Sequence, residues 1–388
     1  MTEKSKGLTK AQEIYQNRSN RVKQLKDEGK KIMGYPCMYA PLEMITALDM
    51  IPYRTCGDMA EPITEADRAL PAAFCPLMRS CLDCALKGKD DFLDGIVAVH
   101  SCDPQEKTAR VWESYINYPF FHFIDMPGTL RPEAFDYYRG QLNDFKRALK
   151  SFTGKDLTNE KLKEAIELHN GQRKLVRDLY DLTKPDPPLA SGTEILQVVK
   201  SLVSLPVAEG NELLVQVIDE LKGRSDGPSE KPTRLLIWSS TLDDIEIMKI
   251  FEADANVVMD EGCGGIRAYR EDVKLTDDPL DGLVHYYLED ITCARTFKEA
   301  VLGDTTKDYT KDLESRFGYL KEMIKKWNVN GVICLIPIYC DPFAYEMPSV
   351  KDYFDNLKIP SIYLEHDYTR GALAPMRTRV EAFLETIE

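Results

Sequence analysis

Two stretches of the 388-residue chain end alike: GIVAVHSCDP (95–104) and GVICLIPIYCDP (331–342). Each is an apolar run of strand length that stops on Cys-Asp-Pro. A short continuous apolar run bounded by turn residues reads as a strand buried on both faces, which is the habit of parallel sheets. The following proline gives up an N–H that a first helical turn leaves unpaired anyway, so Asp-Pro suits the start of a helix. In open parallel sheets ligands bind outside the carboxyl ends of the strands. Cys102 and Cys340 both fall just past such an end. Two α/β units facing each other would bring their two loops together.

The rest of the chain supports that layout. Strand-like runs at KIMGYPCMYA (31–40), DFLDGIVAVH (91–100) and YPFFHFIDMP (118–127) alternate with helical segments, one of them entered through Pro41. They predict a first α/β unit over 1–131, preceded by a helix over 8–30 with Ile14, Val22 and Leu25 on one stripe. Residues 132–232 predict long helices and no strand, ending in the Gly/Pro/Ser-rich linker GRSDGPSEKP (223–232). Alternation returns over 233–388 in TRLLIWSS, ANVVMDE, GVICLIPIY and IPSIYLEH. The expected fold is α/β: two doubly wound parallel-sheet, Rossmann-like domains facing each other, with N-terminal and central helical segments. Chain length points the same way, since 388 residues exceed one ordinary core.

Net charge is −14 and the isoelectric point is near 5.0, which disfavours a nucleic-acid partner. No apolar stretch approaches the ~20 residues needed to span a bilayer, and MTEKSKGLTKAQEIYQ carries no apolar signal region. The expected location is the cytoplasm, where ten cysteines serve as thiols, metal ligands or catalytic groups rather than disulfides. Neither G-x-G-x-x-G nor G-x-x-x-x-G-K-[ST] occurs, and EGCGGIRAYR (261–270) fits neither spacing, so nucleotide hydrolysis is not expected of this chain.

A soft-metal site needs a third thiol beside Cys102 and Cys340. PAAFCPLMRSCLDCALKG (71–88) offers Cys75, which precedes Pro76 at another loop-to-helix step. Cys81 and Cys84 make one C-x₂-C without a second, which poorly supports a four-thiolate zinc site. Cys75, Cys102 and Cys340 are the candidate iron ligands, because iron–sulfur clusters require thiolates. Cys334, Cys263 and Cys293 read first as small buried hydrophobes, while Cys37 and Cys56 stand open between packing and ligation.

Six motifs, in order along the chain, carry a family resemblance: GYPCMYAPLEMITALDMIPYR (34–54), AFCPLMRSCLDCALKG (73–88), GIVAVHSCDP, NGQRKLVRDLYDL (170–182), GVICLIPIYCDP and YLEHDYTRGALAPMRTRVEAFLE (363–385). They resemble the benzoyl-CoA reductase/2-hydroxyacyl-CoA dehydratase superfamily, near its smaller cluster-bearing subunit. The resemblance implies a [4Fe–4S] cluster in the interdomain cleft on Cys75, Cys102 and Cys340, with the fourth iron position open or held by a non-cysteine ligand. It also implies a related cluster-bearing subunit as heterodimer partner, and an ATP-hydrolysing iron–sulfur activator that delivers a low-potential electron. The substrate would be an acyl-CoA, whose aromatic ring is reduced or, alternatively, whose 2-hydroxyl is lost as water. RKLVRDLYDL and LPVAEGN resemble the ring-reducing branch slightly more. Cys37, Cys56, Cys263 and Cys293 stand at places that resemble the related double-cubane cluster proteins, ATP-dependent reductases of small molecules. A double-cubane cluster is therefore the alternative cofactor, although KGKDDFLDG (87–95) lacks the thiol that branch implies.

Three ligands rather than four would leave an iron free for a substrate oxygen, as an open position does in catalytic zinc sites. Two side chains are candidate helpers. Glu43, at the start of a helix beside the cleft, either favours the helix dipole or hydrogen-bonds near the cluster and relays protons. His366, past the last strand on the cleft side, is either a core histidine or a proton donor.

Overall fold

The computed structural model describes residues 6–300 and 308–387. Eight strands form two four-stranded, all-parallel sheets. The first contains β1 (Ile32–Tyr35), β2 (Ile51–Arg54), β3 (Gly95–Val99) and β4 (Phe120–Ile124), ordered β2-β1-β3-β4. The second contains β5 (Thr233–Ser239), β6 (Ala255–Glu261), β7 (Gly331–Pro337) and β8 (Ser361–His366), ordered β6-β5-β7-β8. The expected two-unit α/β architecture is what the chain adopts, and the two sheets share one strand order. In each, the second strand lies on one side of the first and the third strand on the other. The chain thus switches direction beside β3 in one unit and β7 in the other, the strands that lead to Cys102 and Cys340.

Burial explains which runs were legible. Every residue of β3, β5, β6 and β7 is buried, as a strand covered on both faces requires. β2 is buried throughout as well, yet its sequence does not read as a strand. Its sequence IPYR holds Pro52, which cannot donate to a ladder. The fold tolerates it because β2 is an edge strand. β3 needs Gly95 for close approach: a Cβ there would stand 2.6 Å from the Phe120 carbonyl oxygen of β4. Gly95→Ala is expected to cost about 1–3 kcal/mol by forcing those backbones apart. A urea midpoint equal to that of the unaltered chain would refute it.

The predicted helix over 8–30 is two helices, Lys6–Gln16 and Ser19–Asp27. Asn17, Ser19 and Asn20 cluster at the break, and such side chains compete for backbone hydrogen bonds. Val22 and Leu25 are buried as expected. The first helix packs on the helices Gly192–Leu202 and Val207–Gly223, with Glu220 accepting from the Gly7 N–H at 2.8 Å.

The central segment is helical, as predicted. Its helix Asn159–Asp181 is shared by both units. Leu162, Ala165 and Ile166 lie in the core under the first sheet, whereas Val176, Leu179 and Tyr180 lie in the core under the second. A strap at 293–297 adds a further tie. Arg295 donates to the carbonyls of Met126 at 2.8 Å and Pro127 at 2.7 Å, and the Phe297 N–H donates to Gly128 O at 3.0 Å. Among the described residues, no helix is long and apolar enough to cross a membrane.

Candidate metal centre

Cys75, Cys102 and Cys340 occupy equivalent places: each immediately precedes a helix, Pro76–Leu86, Asp103–Tyr115 and Asp341–Leu357 respectively. No side-chain oxygen caps these helices. Instead each thiol faces first-turn N–H groups, with Met78 contributing at Cys75, Gln105 at Cys102 and Phe343 at Cys340. Three positive helix ends therefore converge where a negatively charged group would sit. The thiols are also electrostatic neighbours: Cys75 senses Cys102, Cys102 senses Cys340, and Cys340 senses Cys75. Burial pushes all three thiols up, Cys75 to about 12, and their mutual repulsion adds to the effect.

A second set abuts the first. Cys37 lies two residues past β1, Cys263 two past β6, and Cys293 at the head of the Arg295 strap. Cys37 senses Cys263, and Cys293 senses both. The sets touch through Cys102, which senses Cys37 and Cys293, and through Cys340, which senses Cys293. Arg54 reaches from β2 to donate to the Cys263 carbonyl at 2.7 Å and sulfur at 3.1 Å. Burial alone would raise the Cys263 thiol, but Arg54, Lys200 and Arg267 outweigh it and hold the thiol below its usual range. The glycines around Cys263 are there for room: a Cβ on Gly264 would meet Lys200 Nζ, and one on Gly265 would meet the Asp260 carbonyl.

The donor chemistry fits an iron–sulfur group. All ten cysteines are free thiols, six of them in two adjoining triads, five at strand ends or helix starts and Cys293 in a loop. Among the described residues, no three His, Cys, Asp or Glu side chains close tightly enough to hold a single metal ion. A cubane spreads its ligand sulfurs more widely than one ion does, and thiolates are its required donors.

This geometry meets its comparison in a family model described as 2-hydroxyglutaryl-CoA dehydratase, D-component, which matches residues 37–387. The chain belongs to that family. It is thereby a member of the benzoyl-CoA reductase/2-hydroxyacyl-CoA dehydratase superfamily, as its motifs suggested. This D-component homologue is 24% identical to a benzoyl-CoA reductase subunit of Thauera aromatica, over 93% of its own length and 92% of the relative's. It is 26% identical to the (R)-phenyllactyl-CoA dehydratase beta subunit of Clostridium sporogenes, over 94% of each chain. Identity to the beta subunit of (R)-2-hydroxyglutaryl-CoA dehydratase from Acidaminococcus fermentans is 21%, over 93% and 94%. All three relatives are named as enzyme subunits.

The two candidate helpers, Glu43 and His366, are both buried. Glu43 is in the first turn of the short helix Leu42–Thr46, fully buried. One of its oxygens pairs with Arg173 and the other accepts from Tyr287 Oη at 2.8 Å. Arg173 is itself tied to Tyr286 Oη at 3.0 Å and Asn170 at 2.9 Å. Both carboxylate oxygens are thus engaged in a structural network. His366 ends β8, 3% exposed, with Nε2 lacking a partner. Burial pulls it down to about 4, so it is neutral near pH 7. It lines a separate cavity with Ile338, Asp367, Met376 and Arg379.

Cys56, two residues past β2, neighbours Cys81 and shares the cations Arg54 and Lys200 with Cys263. It lines a cavity of about 540 Å³ together with Arg18, Cys84, Asp90 and Lys200. Asp90 is 6% exposed and its Oδ2 has no hydrogen-bond partner. Burial pushes its carboxyl up to about 6, above the ordinary 3.8. The unfolded chain therefore releases this proton first, and stability should fall as pH rises from about 4 to about 6. Asp90→Asn is expected to remove on the order of 2 kcal/mol of that decline. Urea unfolding curves at several pH values read it, and an unchanged pH slope would count against it.

Proposed function

We propose that this D-component homologue is an iron–sulfur subunit of an ATP-activated, low-potential reductase, and that the six thiols of its two triads hold a double-cubane cluster. The observation that carries the reading is the second triad, Cys37, Cys263 and Cys293, set against the first. A single [4Fe–4S] cluster on Cys75, Cys102 and Cys340 would leave those three thiols with no ligand to explain their convergence. When bound, such a cluster supplies one-electron chemistry that amino-acid side chains lack. The protein's own contribution is legible. Three helix starts and the cations Arg54, Lys200 and Arg267 offset negative charge, and burial of the loops keeps water away. The electron source in this reading is a separate ATP-hydrolysing activator, and a related cluster-bearing subunit is the partner.

A second reading is favoured by the relatives' names. It makes the chain the single-cluster subunit of an acyl-CoA reductase of the benzoyl-CoA type, or of a 2-hydroxyacyl-CoA dehydratase, with an acyl-CoA thioester as substrate. Iron and acid-labile sulfide per chain, measured after anaerobic purification, separate the two. About eight of each supports the double cubane; about four supports the single cluster and removes the first reading. Turnover of benzoyl-CoA against a 2-hydroxyacyl-CoA, with activator present, then separates reduction from dehydration.

A further inference from the structure

We propose that Cys56 is a site of thiol–disulfide exchange with a small zwitterionic disulfide, of the cystine or glutathione-disulfide kind. This goes beyond the cluster reading and uses no residue of either triad. Three observations carry it. The first is the cavity, whose rim residues Gln16, Asn17, Asn20 and Lys23 are exposed, giving a small molecule a way in to Cys56.

The second is the charge around the sulfur. Arg18, Lys200 and Arg54 all stand within electrostatic range of it. Burial alone would raise the thiol, but these three cations outweigh it and hold Cys56 below its usual range. The thiolate is the attacking species in exchange. The other thiols outside the triads are poor competitors: burial pushes Cys84 and Cys334 to about 12 and Cys81 well above its ordinary value.

The third is a pair of unspent polar groups on the same wall. Lys200 is paired with Asp243, and Lys89 with Asp58 and Glu61. Asp90 Oδ2 and Arg18 Nε are buried without partners. An ammonium group would satisfy the first and a carboxylate the second, and amino-acid disulfides carry both. Buried polar atoms left unmatched are costly, so a ligand that matches them is selected over one that does not.

In the step itself, the Cys56 thiolate gives its electron pair to one sulfur of the disulfide, and the S–S bond breaks. The other half leaves as a thiolate and takes a proton from water. Cys56 is oxidised to a mixed disulfide and the departing thiol is the reduced product.

The test uses the iron-loaded chain, anaerobic and near neutral pH, mixed with cystine or glutathione disulfide, quenched at intervals and mapped by peptide mass. Cys56 is expected to form the mixed disulfide at least about tenfold faster than Cys81, Cys84 or Cys334. Arg18→Met should slow it about tenfold. Asp90→Asn should slow cystine but not the uncharged hydroxyethyl disulfide. Equal rates at all four thiols, no effect of Arg18→Met, or equal treatment of the two disulfides by Asp90→Asn would each overturn the proposal. Iron is counted in the same samples. A low count would weaken the cluster reading and leave the Cys56 result standing, because the selectivity is judged only among thiols outside the triads.

Discussion

Cys340→Ser is expected to abolish turnover and to strip about half of the iron, while Cys334→Ser, only six residues earlier, leaves both intact. The contrast rests on position. Cys340 precedes the helix Asp341–Leu357, senses Cys75 in its own triad and Cys293 in the other, and faces the Phe343 N–H. A serine hydroxyl there is a hard, protonated donor and does not replace a thiolate at iron. Cys334 lies inside β7, 2% exposed, and burial alone accounts for its raised thiol. Its serine variant loses some packing and keeps every candidate ligand. Iron and sulfide assays on both variants check the pair. A Cys340→Ser chain with full iron would remove that residue from the ligand set.

The second large effect concerns stability. Glu43→Ala leaves the Arg173 guanidinium buried beside Tyr286 and Asn170 without its carboxylate, and removing one partner of a buried ion pair costs about 3–5 kcal/mol. Replacing both partners by apolar residues of similar size should recover much of that loss. The pH dependence has a definite sign. Burial would raise the Glu43 carboxyl, but Arg173 and His169 outweigh it and hold it below the ordinary 4.5. Its contribution is therefore present above about 4.5 and lost as pH falls through the lower, folded-state value. The Ala variant should lack that part of the acid limb. Urea unfolding at neutral and acid pH measures both effects. A loss below about 1 kcal/mol would show that the pair is not a structural tie.

Local pattern carried much of this fold. The apolar runs marked β3 and β5 to β8, and Cys-Pro or Cys-Asp-Pro marked three helix starts with their thiols. What local pattern could not carry depends on tertiary context. β2 hides behind Pro52, acceptable only because the strand is an edge. Cys293 lies in an irregular loop whose place is set by Arg295 gripping carbonyls about 170 residues upstream (168 for Pro127 and 169 for Met126). Neither helical nor strand periodicity marks such a loop, so residue pattern alone left Cys293 and Cys263 as packing residues, and only the resemblance to double-cubane proteins set them beside Cys37. Glu43 shows the same limit. Its helix start was visible, but Arg173 is 130 residues away. No spacing rule links the two, so the ion pair could not be read from the sequence.

Each thiol triad draws on both sides of the 223–232 linker: two cysteines before it and one after in the first, one before and two after in the second. While the chain is still on the ribosome, neither set can close until residues 293 and 340 have been made. If the two triads hold a cluster, its iron would therefore have to arrive after residue 340 has been made, and a product terminated earlier would carry only an incomplete set of thiols.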